Sequence, residues 1–273
     1  MNSFNLFQQL PESTVRGAMI DLASNASTRF AALADCFDAG TRRHLMNRGV
    51  APGWHCLEVG GGSGTIATWL SEQIGARGRV VVTDIDTRFL ESLKRPNIEV
   101  LRHDITSDPL AEGVFDLIHA RMILIHLPER DAVLRRLAAA LKPGGCLVCE
   151  EFDGESAPPD DGVSPGEVVL KTHDAMGRIS DDRGVDRRYG RLMFGQFRSL
   201  GLADVGAEAH MTMVHAGSPV ARLLRASYEL RREAMIAAGY ISGEEFDADL
   251  ARMETIDFMM PSPIMWTAWG RRL

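Results

Sequence analysis

An α/β fold, with a mostly parallel sheet covered by helices on both faces, is predicted by three observations. Short strands and helices alternate from Cys56 onward. A cluster of glycines separates the first strand of that series from its helix. The composition, 45% hydrophobic and 25% charged over 273 residues, is that of a globular chain long enough to bury a core without disulfide or metal staples.

The elements follow in order. The first 50 residues read as helical, with Phe30, Leu33, Phe37 and Leu45 close to helical spacing between Ser27 and Arg48. Ala51-Pro-Gly-Trp54 breaks the chain. Strands are predicted at Cys56–Val59, Arg79–Asp84, Ile98–Arg102, Phe115–Ala120 and Cys146–Phe152. Helices are predicted at Thr65–Ile74, Arg88–Lys94 and Pro128–Leu141, the last ended by Lys142-Pro-Gly-Gly145. Asp153 to Gly166 is rich in Gly, Pro, Ser and Asp and reads as an exposed loop. Beyond it come a helix at 189–200, a strand at 203–214, helices at 219–238 and 243–253, and a closing strand at 263–271.

Net charge is −7, from 30 Lys+Arg against 37 Asp+Glu, which argues against binding nucleic acid through a basic face. No apolar run reaches the ~18 residues of a membrane span. The start, Met-Asn-Ser-Phe-Asn-Leu-Phe, lacks the basic and apolar regions of an export signal. The expectation is a cytoplasmic protein with reduced thiols. Cys146 and Cys149 stand three apart, but in a strand rather than at a helix start. They are expected on opposite faces as inert core thiols, with no metal site. Trp266 and Trp269 have the same spacing and are also expected to pack on opposite faces.

The segment Glu58-Val59-Gly60-Gly61-Gly62-Ser63-Gly64 is the strongest chemical signal. Its glycines permit positive φ and close approach of the backbone to a ligand. Asp84, 20 residues past Gly64, ends the second strand, where a carboxylate can accept both ribose hydroxyls of an adenosine. The spacing does not exclude a dinucleotide, since Gly62 and Gly64 followed by Ala67 fit a variant fingerprint. Asp104 follows the third strand, Phe115-Asp116 opens the fourth, and Lys142-Pro-Gly-Gly145 precedes the fifth.

Taken together and in this order, these residues resemble the class I S-adenosylmethionine-dependent methyltransferases, most of all the ubiquinone/menaquinone methyltransferases and bacterial small-molecule enzymes. The likeness covers roughly residues 51–152. It implies a Rossmann-like methyltransferase fold: a seven-stranded, mostly parallel sheet with its last strand antiparallel, plus a helical cap. It also implies a division of the chain. Residues 1–50 would cover the active site, 51–152 would form the cofactor-binding core, 153–190 a cap insertion, and 191–273 the rest of the sheet with a substrate-side helical insertion. The implied cofactor is S-adenosyl-L-methionine, leaving as S-adenosyl-L-homocysteine. Gly60, Gly61, Gly62 and Gly64 would pack under it, and Glu58 would hold the loop or the ligand's ammonium group. Asp84, with Ile85 beside it, would take the ribose hydroxyls. Asp104 and Ile105 would meet the adenine, and Ala120 and Arg121 the methionine end. Asp86 reads instead as a helix cap.

Methyl transfer needs alignment and a dry site, and some acceptors need a base. His126, in Leu-Ile-His-Leu-Pro, and Arg121 are the candidate catalytic residues, while His119 reads as packed within the sheet. His173 and His215 fall in the cap. Arg178, Arg183, Arg187, Arg188, Arg191 and Arg198 alternate there with Asp181, Asp182 and Asp186. They read as a solvated helix face, or as holding one or two arginines, Arg188 and Arg191 foremost, that grip a carboxylate or phosphate. The many methionines suit core packing and an adaptable apolar pocket. The expected partner is a small, partly apolar and anionic substrate, without nucleic acid or membrane, for a monomer or homodimer. A nicotinamide-dependent oxidoreductase would need a Tyr-x-x-x-Lys or its equivalent, and no tyrosine here has Lys four residues on. A non-catalytic S-adenosylmethionine-binding module would share the same loop.

Overall fold

The computed structural model describes residues 12–155 and 170–273, the side chains of 12–26 excepted. The expectations for the amino-terminal 11 residues and for most of the loop at 153–166 lie outside the described residues. A long helix, α1 (Glu12–Asn47), precedes the sheet. Then come β1 (His55–Val59), α2 (Thr65–Ile74), β2 (Arg79–Asp84), β3 (Ile98–Arg102), β4 (Phe115–Arg121), α3 (Arg130–Ala140) and β5 (Leu141–Asp153). The remainder is α4 (Lys171–Asp182), α5 (Tyr189–Ser199), β6 (Ala203–His210), β7 (Met213–His215), α6 (Pro219–Glu229), α7 (Arg232–Ala237), α8 (Gly243–Arg252), β8 (Met259–Pro261) and β9 (Ile264–Arg271).

The main sheet has seven strands in the order β3-β2-β1-β4-β5-β9-β6. β1 to β5 pair in parallel, and β9 runs antiparallel to both β5 and β6. Side chains alternate across it as the pleat requires. Cys56, Val80, Val82, Leu117 and Cys146 join α2 on one face, and Leu57, Val81, Ile118, Leu147 and Cys149 join α3 and α5 on the other. The two cysteines therefore part company: both are buried, with Cys146 pushed up to about 11 and Cys149 further still. Trp269 lies with the first face and Trp266 with the second. A separate core, built around Ile179, Leu224, Tyr228, Phe246 and Phe258, unites α4, α6, α7, α8 and the small β7-β8 sheet.

Several elements differ from expectation. The segment 88–94 forms only a 3-10 turn at Thr87–Leu90, capped by Asp86, which accepts from the Arg88 amide at 3.2 Å. α3 ends at Ala140, next to Lys142-Pro-Gly-Gly as expected, but that motif already belongs to β5, which bends at Gly144 (φ 79). The polar stretch before Arg188 contains α4. The strand expected at 203–214 divides into β6 and β7, which join different sheets. The helix expected at 219–238 divides into α6 and α7, whereas the closing strand expected at 263–271 forms as β9, preceded by the short β8.

Two of the motifs tie the amino end of the sheet. Asp116 Oδ2 accepts from the His55 amide and from Lys142 Nζ, each at 2.7 Å. β1, β4 and β5 are thereby joined at the edge opposite the glycine loop.

Toward the carboxyl edge the same strands are joined by buried charge. His119 on β4, fully buried, lies 2.7 Å from Glu58 Oε2 on β1 and 3.3 Å from Glu150 Oε2 on β5. Thr267 on β9 donates to Glu150 Oε1 at 2.9 Å, and Thr41 on α1 donates to Oε2. Arg121 then reaches Thr41 and Asp38, both at 2.9 Å. Burial opposes protonation of His119, but the Glu58 and Glu150 carboxylates outweigh it and raise the imidazole above its ordinary value. Burial likewise opposes the Glu150 anion, but His119 holds that carboxyl low. The His119 contribution is complete below its unfolded value of about 6.5 and is lost as pH rises through the raised folded value. Glu150, being depressed, contributes above about 4.3 and loses that contribution as pH falls. His119→Ala leaves two carboxylates buried without their counter-charge and is expected to cost about 3–5 kcal/mol in denaturant unfolding. A cost below about 1 kcal/mol would show that the imidazolium does not hold the strands.

Candidate active site

At the carboxyl edge of the sheet, β1 runs into a turn that only glycine satisfies. Gly60, at φ 69, donates to Thr83 O at 2.8 Å, and Gly61 donates to the same oxygen at 3.1 Å. A Cβ on Gly60 would stand 2.0 Å from Ile123 Cδ1, and one on Gly61 2.3 Å from Val82 Cγ1. Gly64, at φ 77, starts α2. Asp84 faces this turn. Its Oδ2 accepts from the Gly62 amide at 3.2 Å and its Oδ1 from the Asp86 amide at 3.0 Å. No cation pairs with Asp84 among the described residues.

A cavity of about 210 Å³ opens here, with Glu58, Gly60, Gly61, Gly62, Asp84 and Arg121 in its wall. The remaining residues singled out from sequence lie elsewhere. Gly64 supports the loop from the helix start. Ile85 is 67% exposed at the rim of β2. Asp104 accepts from the Thr106 hydroxyl and amide, at 2.6 and 2.9 Å, which keeps its carboxyl below the usual value. Ile105 is buried in the core on the α3 side, and Ala120 is enclosed between β1 and β5. Arg121 lines the cavity, but its guanidinium is held by α1, so it clamps that helix to the sheet. Phe30 and Leu33 of α1 complete the wall. Their apolar spacing was visible in sequence, but not the cavity they face.

A larger cavity of about 510 Å³ adjoins it, and Arg29 and Met122 line both. Its walls are the loop after β4, the end of β5, α4 and α6. Met122, at the junction, has φ 60, a strained conformation for a side chain of its size. The loop holds it there: Met122 donates to Glu150 O at 2.9 Å, and Ile123 and Leu124 donate to Glu151 Oε1 at 3.0 and 2.7 Å. His126 lines the larger cavity. The surrounding protein and then Arg29, Arg231 and Arg130 lower its imidazole to about 4, so it is neutral near pH 7. His173 also lines the cavity, with Nδ1 2.8 Å from the Tyr228 hydroxyl, whereas His215 is exposed on β7. Arg188 and Arg191 do not line it. Arg191 pairs with Asp153 at 2.5 Å, and Arg188 lies within 3.7 Å of Asp186. Arg183 and Arg187 take their place in the wall, with Arg29 and Arg231. Contact between these distant segments was not legible in the spacing of any one of them.

Residues 56–145 match the methyltransferase-domain family. The ubiquinone/menaquinone biosynthesis C-methyltransferase UbiE of Pseudomonas putida is 28% identical over 160 residues, covering 54% of this chain and 62% of the relative. The UbiE of Pseudoalteromonas translucida is 24% identical over 159 residues, covering 54% of this chain and 63% of that relative. The alignment thus spans less than two thirds of these proteins. Among solved structures, Bacillus subtilis YcgJ superposes with a TM-score of 0.54 at 14% identity, covering 84% of this chain and 97% of that one. Haemonchus contortus phosphoethanolamine N-methyltransferase 2, solved with S-adenosyl-L-methionine, gives 0.52 at 15% identity, covering 82% and 50%. At these identities the structural likeness establishes the fold alone.

Glu151 is fully buried, its Oε2 has no hydrogen-bond partner among the described residues, and burial raises its carboxyl to about 8. Because the folded value exceeds the unfolded one, the native state loses stability as pH climbs from about 4.3 toward 8. Glu151→Gln keeps an acceptor for the two loop amides and removes this titration. Thermal melts from about pH 5 to about 8.5 are expected to fall less steeply with pH in the variant, because the carboxyl that must ionise is gone. Parallel curves would contradict the assignment.

Proposed function

We propose that the chain is a class I S-adenosylmethionine-dependent methyltransferase that transfers a methyl group from S-adenosyl-L-methionine to a small-molecule acceptor, a reading supported by the methyltransferase-domain match over residues 56–145. The observation that carries the reading is the pair of adjoining cavities meeting at Arg29 and Met122, one on the glycine turn and one under the helical cap. A displacement reaction needs donor and acceptor to meet across one boundary, in line and shielded from water.

The smaller cavity has the chemistry to hold the cofactor. Its turn leaves no room for a Cβ at Gly60 or Gly61, and it presents an acidic side chain, Asp84, with no cation partner among the described residues. In this reading Asp84 accepts from the ribose hydroxyls and the glycine amides approach the ligand backbone. Ile85 stands beside Asp84 on the ribose side, and Glu58, held by His119, faces the methionine end. The bound cofactor supplies a sulfonium methyl already activated for transfer. The protein supplies alignment and exclusion of water: Phe30 and Leu33 close the cofactor side, and Phe152, Met176 and Leu224 line the acceptor side.

We assign His126 the positioning of the acceptor. A neutral imidazole accepts a hydrogen bond from an acceptor O–H or N–H and turns its lone pair toward the methyl group. With its value near 4, it carries no charge to lose across the neutral range. The acceptor is a partly apolar molecule rather than a nucleic acid, a reading supported by the net charge of −7. Among the described residues no helix is long and apolar enough to cross a membrane.

Calorimetric titration with S-adenosylhomocysteine, S-adenosylmethionine and NADH tests the cofactor assignment. Binding of the first two, lost by about tenfold or more in Asp84→Ala, is the expected result, as loss of a charge-assisted hydrogen-bond pair requires. Binding of NADH alone would overturn the reading in favour of hydride chemistry. Once an acceptor is identified, His126→Ala should lower its turnover while leaving cofactor affinity unchanged.

A further inference from the structure

The larger cavity is lined by four arginines, Arg29, Arg183, Arg187 and Arg231, and by no Asp or Glu among the described residues. This is unusual for a chain whose other arginines are mostly paired. Arg187 has Asp181 at 2.9 Å, Arg191 has Asp153, and Arg222 has Asp35 at 3.0 Å. Arg29, Arg183 and Arg231 have no carboxylate partner among the described residues. Among the described residues the one side-chain hydrogen bond of the three runs from Arg29 Nε to Ser227 Oγ, at 3.3 Å. Burial, together with the mutual repulsion of the three, pulls Arg231 down to about 10, and burial also lowers Arg29. Like charges gathered in one hollow without a counter-ion cost stability unless something else supplies the negative charge.

Another hollow shows the contrast. The cavity of about 630 Å³ between α2 and β3 also contains charged side chains, Glu72, Arg79, Arg95 and Glu99. There each cation has its anion, Arg79 with Glu99 and Arg95 with Glu72. It lies at the amino side of the sheet and needs no ligand to balance it.

We propose that Arg29, Arg183 and Arg231 form an anion-binding subsite in the acceptor pocket, and that the acceptor carries a carboxylate or phosphate head on an apolar body. This rests on the methyl-transfer reading for the identity of the pocket, not for its charge. Guanidinium groups suit both head groups, because each offers parallel donors to two oxygens. The apolar body follows from the rest of the wall, where Ile125, Phe152, Met176, Ile179, Leu224 and Leu230 surround the space. The arginines come from three elements: Arg29 from α1, Arg183 from the end of α4, and Arg231 from the junction of α6 and α7. A bound anion would draw these helices onto a common centre. Arg29 also lines the cofactor cavity, so it stands between the head group and the reaction partner.

The test uses three probes of equal chain length, decanoate, decyl phosphate and decanol, titrated into the full-length protein in parallel with S-adenosylhomocysteine. At least one anion is expected to bind about tenfold or more tightly than the alcohol, from charge-assisted bonding. The tighter of the two identifies the head group. Arg183→Gln and Arg231→Gln should each remove most of that preference and leave S-adenosylhomocysteine affinity unchanged, which also shows that the variants fold. Equal binding of alcohol and anions, no binding of either anion, or an anion preference that survives both substitutions would overturn the subsite. Failure of S-adenosylhomocysteine to bind the unmodified chain would instead count against the methyl-transfer reading, and the probe comparison would still judge the anion site.

Discussion

The constraint on which this molecule depends is a buried positive charge held between two negative ones. His119 stands between Glu58 and Glu150, and through them four strands and α1 share one hydrogen-bonded chain. None of these groups has water to fall back on, so each must keep its partner. The chain fixes Glu58 at the mouth of the glycine turn. It also fixes Glu150, whose main-chain oxygen accepts from Met122. Both cavities thus take their position from one set of charges inside the sheet.

Much of the fold was legible because it is local. Short buried apolar runs such as Val80-Val81-Val82 mark the strands of the parallel series, and Gly64 and Gly75 bound α2. What was not legible depended on partners far along the chain. Lys142-Pro-Gly-Gly has the composition of a helix stop, but Gly144 meets Arg272 across the antiparallel β9, so the segment extends the strand. The segment after Asp86 is capped by that residue and closes as a 3-10 turn at Thr87–Leu90, well before Pro96. Residues 203–214 divide because Met213 to His215 finds β8 instead of continuing along β9.

The site divides in the same way. The glycine turn and Asp84 are close in sequence and structure, and the cavity wall includes them. The arginines are the opposite case. Charge alternation in the cap drew attention to Arg188 and Arg191, yet both are satisfied by nearby acids. Arg29 and Arg231, with no carboxylate partner among the described residues, lie far apart in the chain, and the packing of α1 against α6 brings them together. The Phe115-Asp116 and Lys142-Pro-Gly-Gly motifs, which helped to carry the resemblance, fasten the edge of the sheet farthest from the chemistry.

Arg29 is a wall common to both cavities, and that has a thermodynamic consequence. Two ligands that contact one side chain are not bound independently: if the first alters that contact, it changes the affinity for the second, and the second changes the first by the same factor. Cooperativity here would need no movement of domains. It would follow from one guanidinium with two neighbours to satisfy, and it would set whether the acceptor enters before or after the methyl donor.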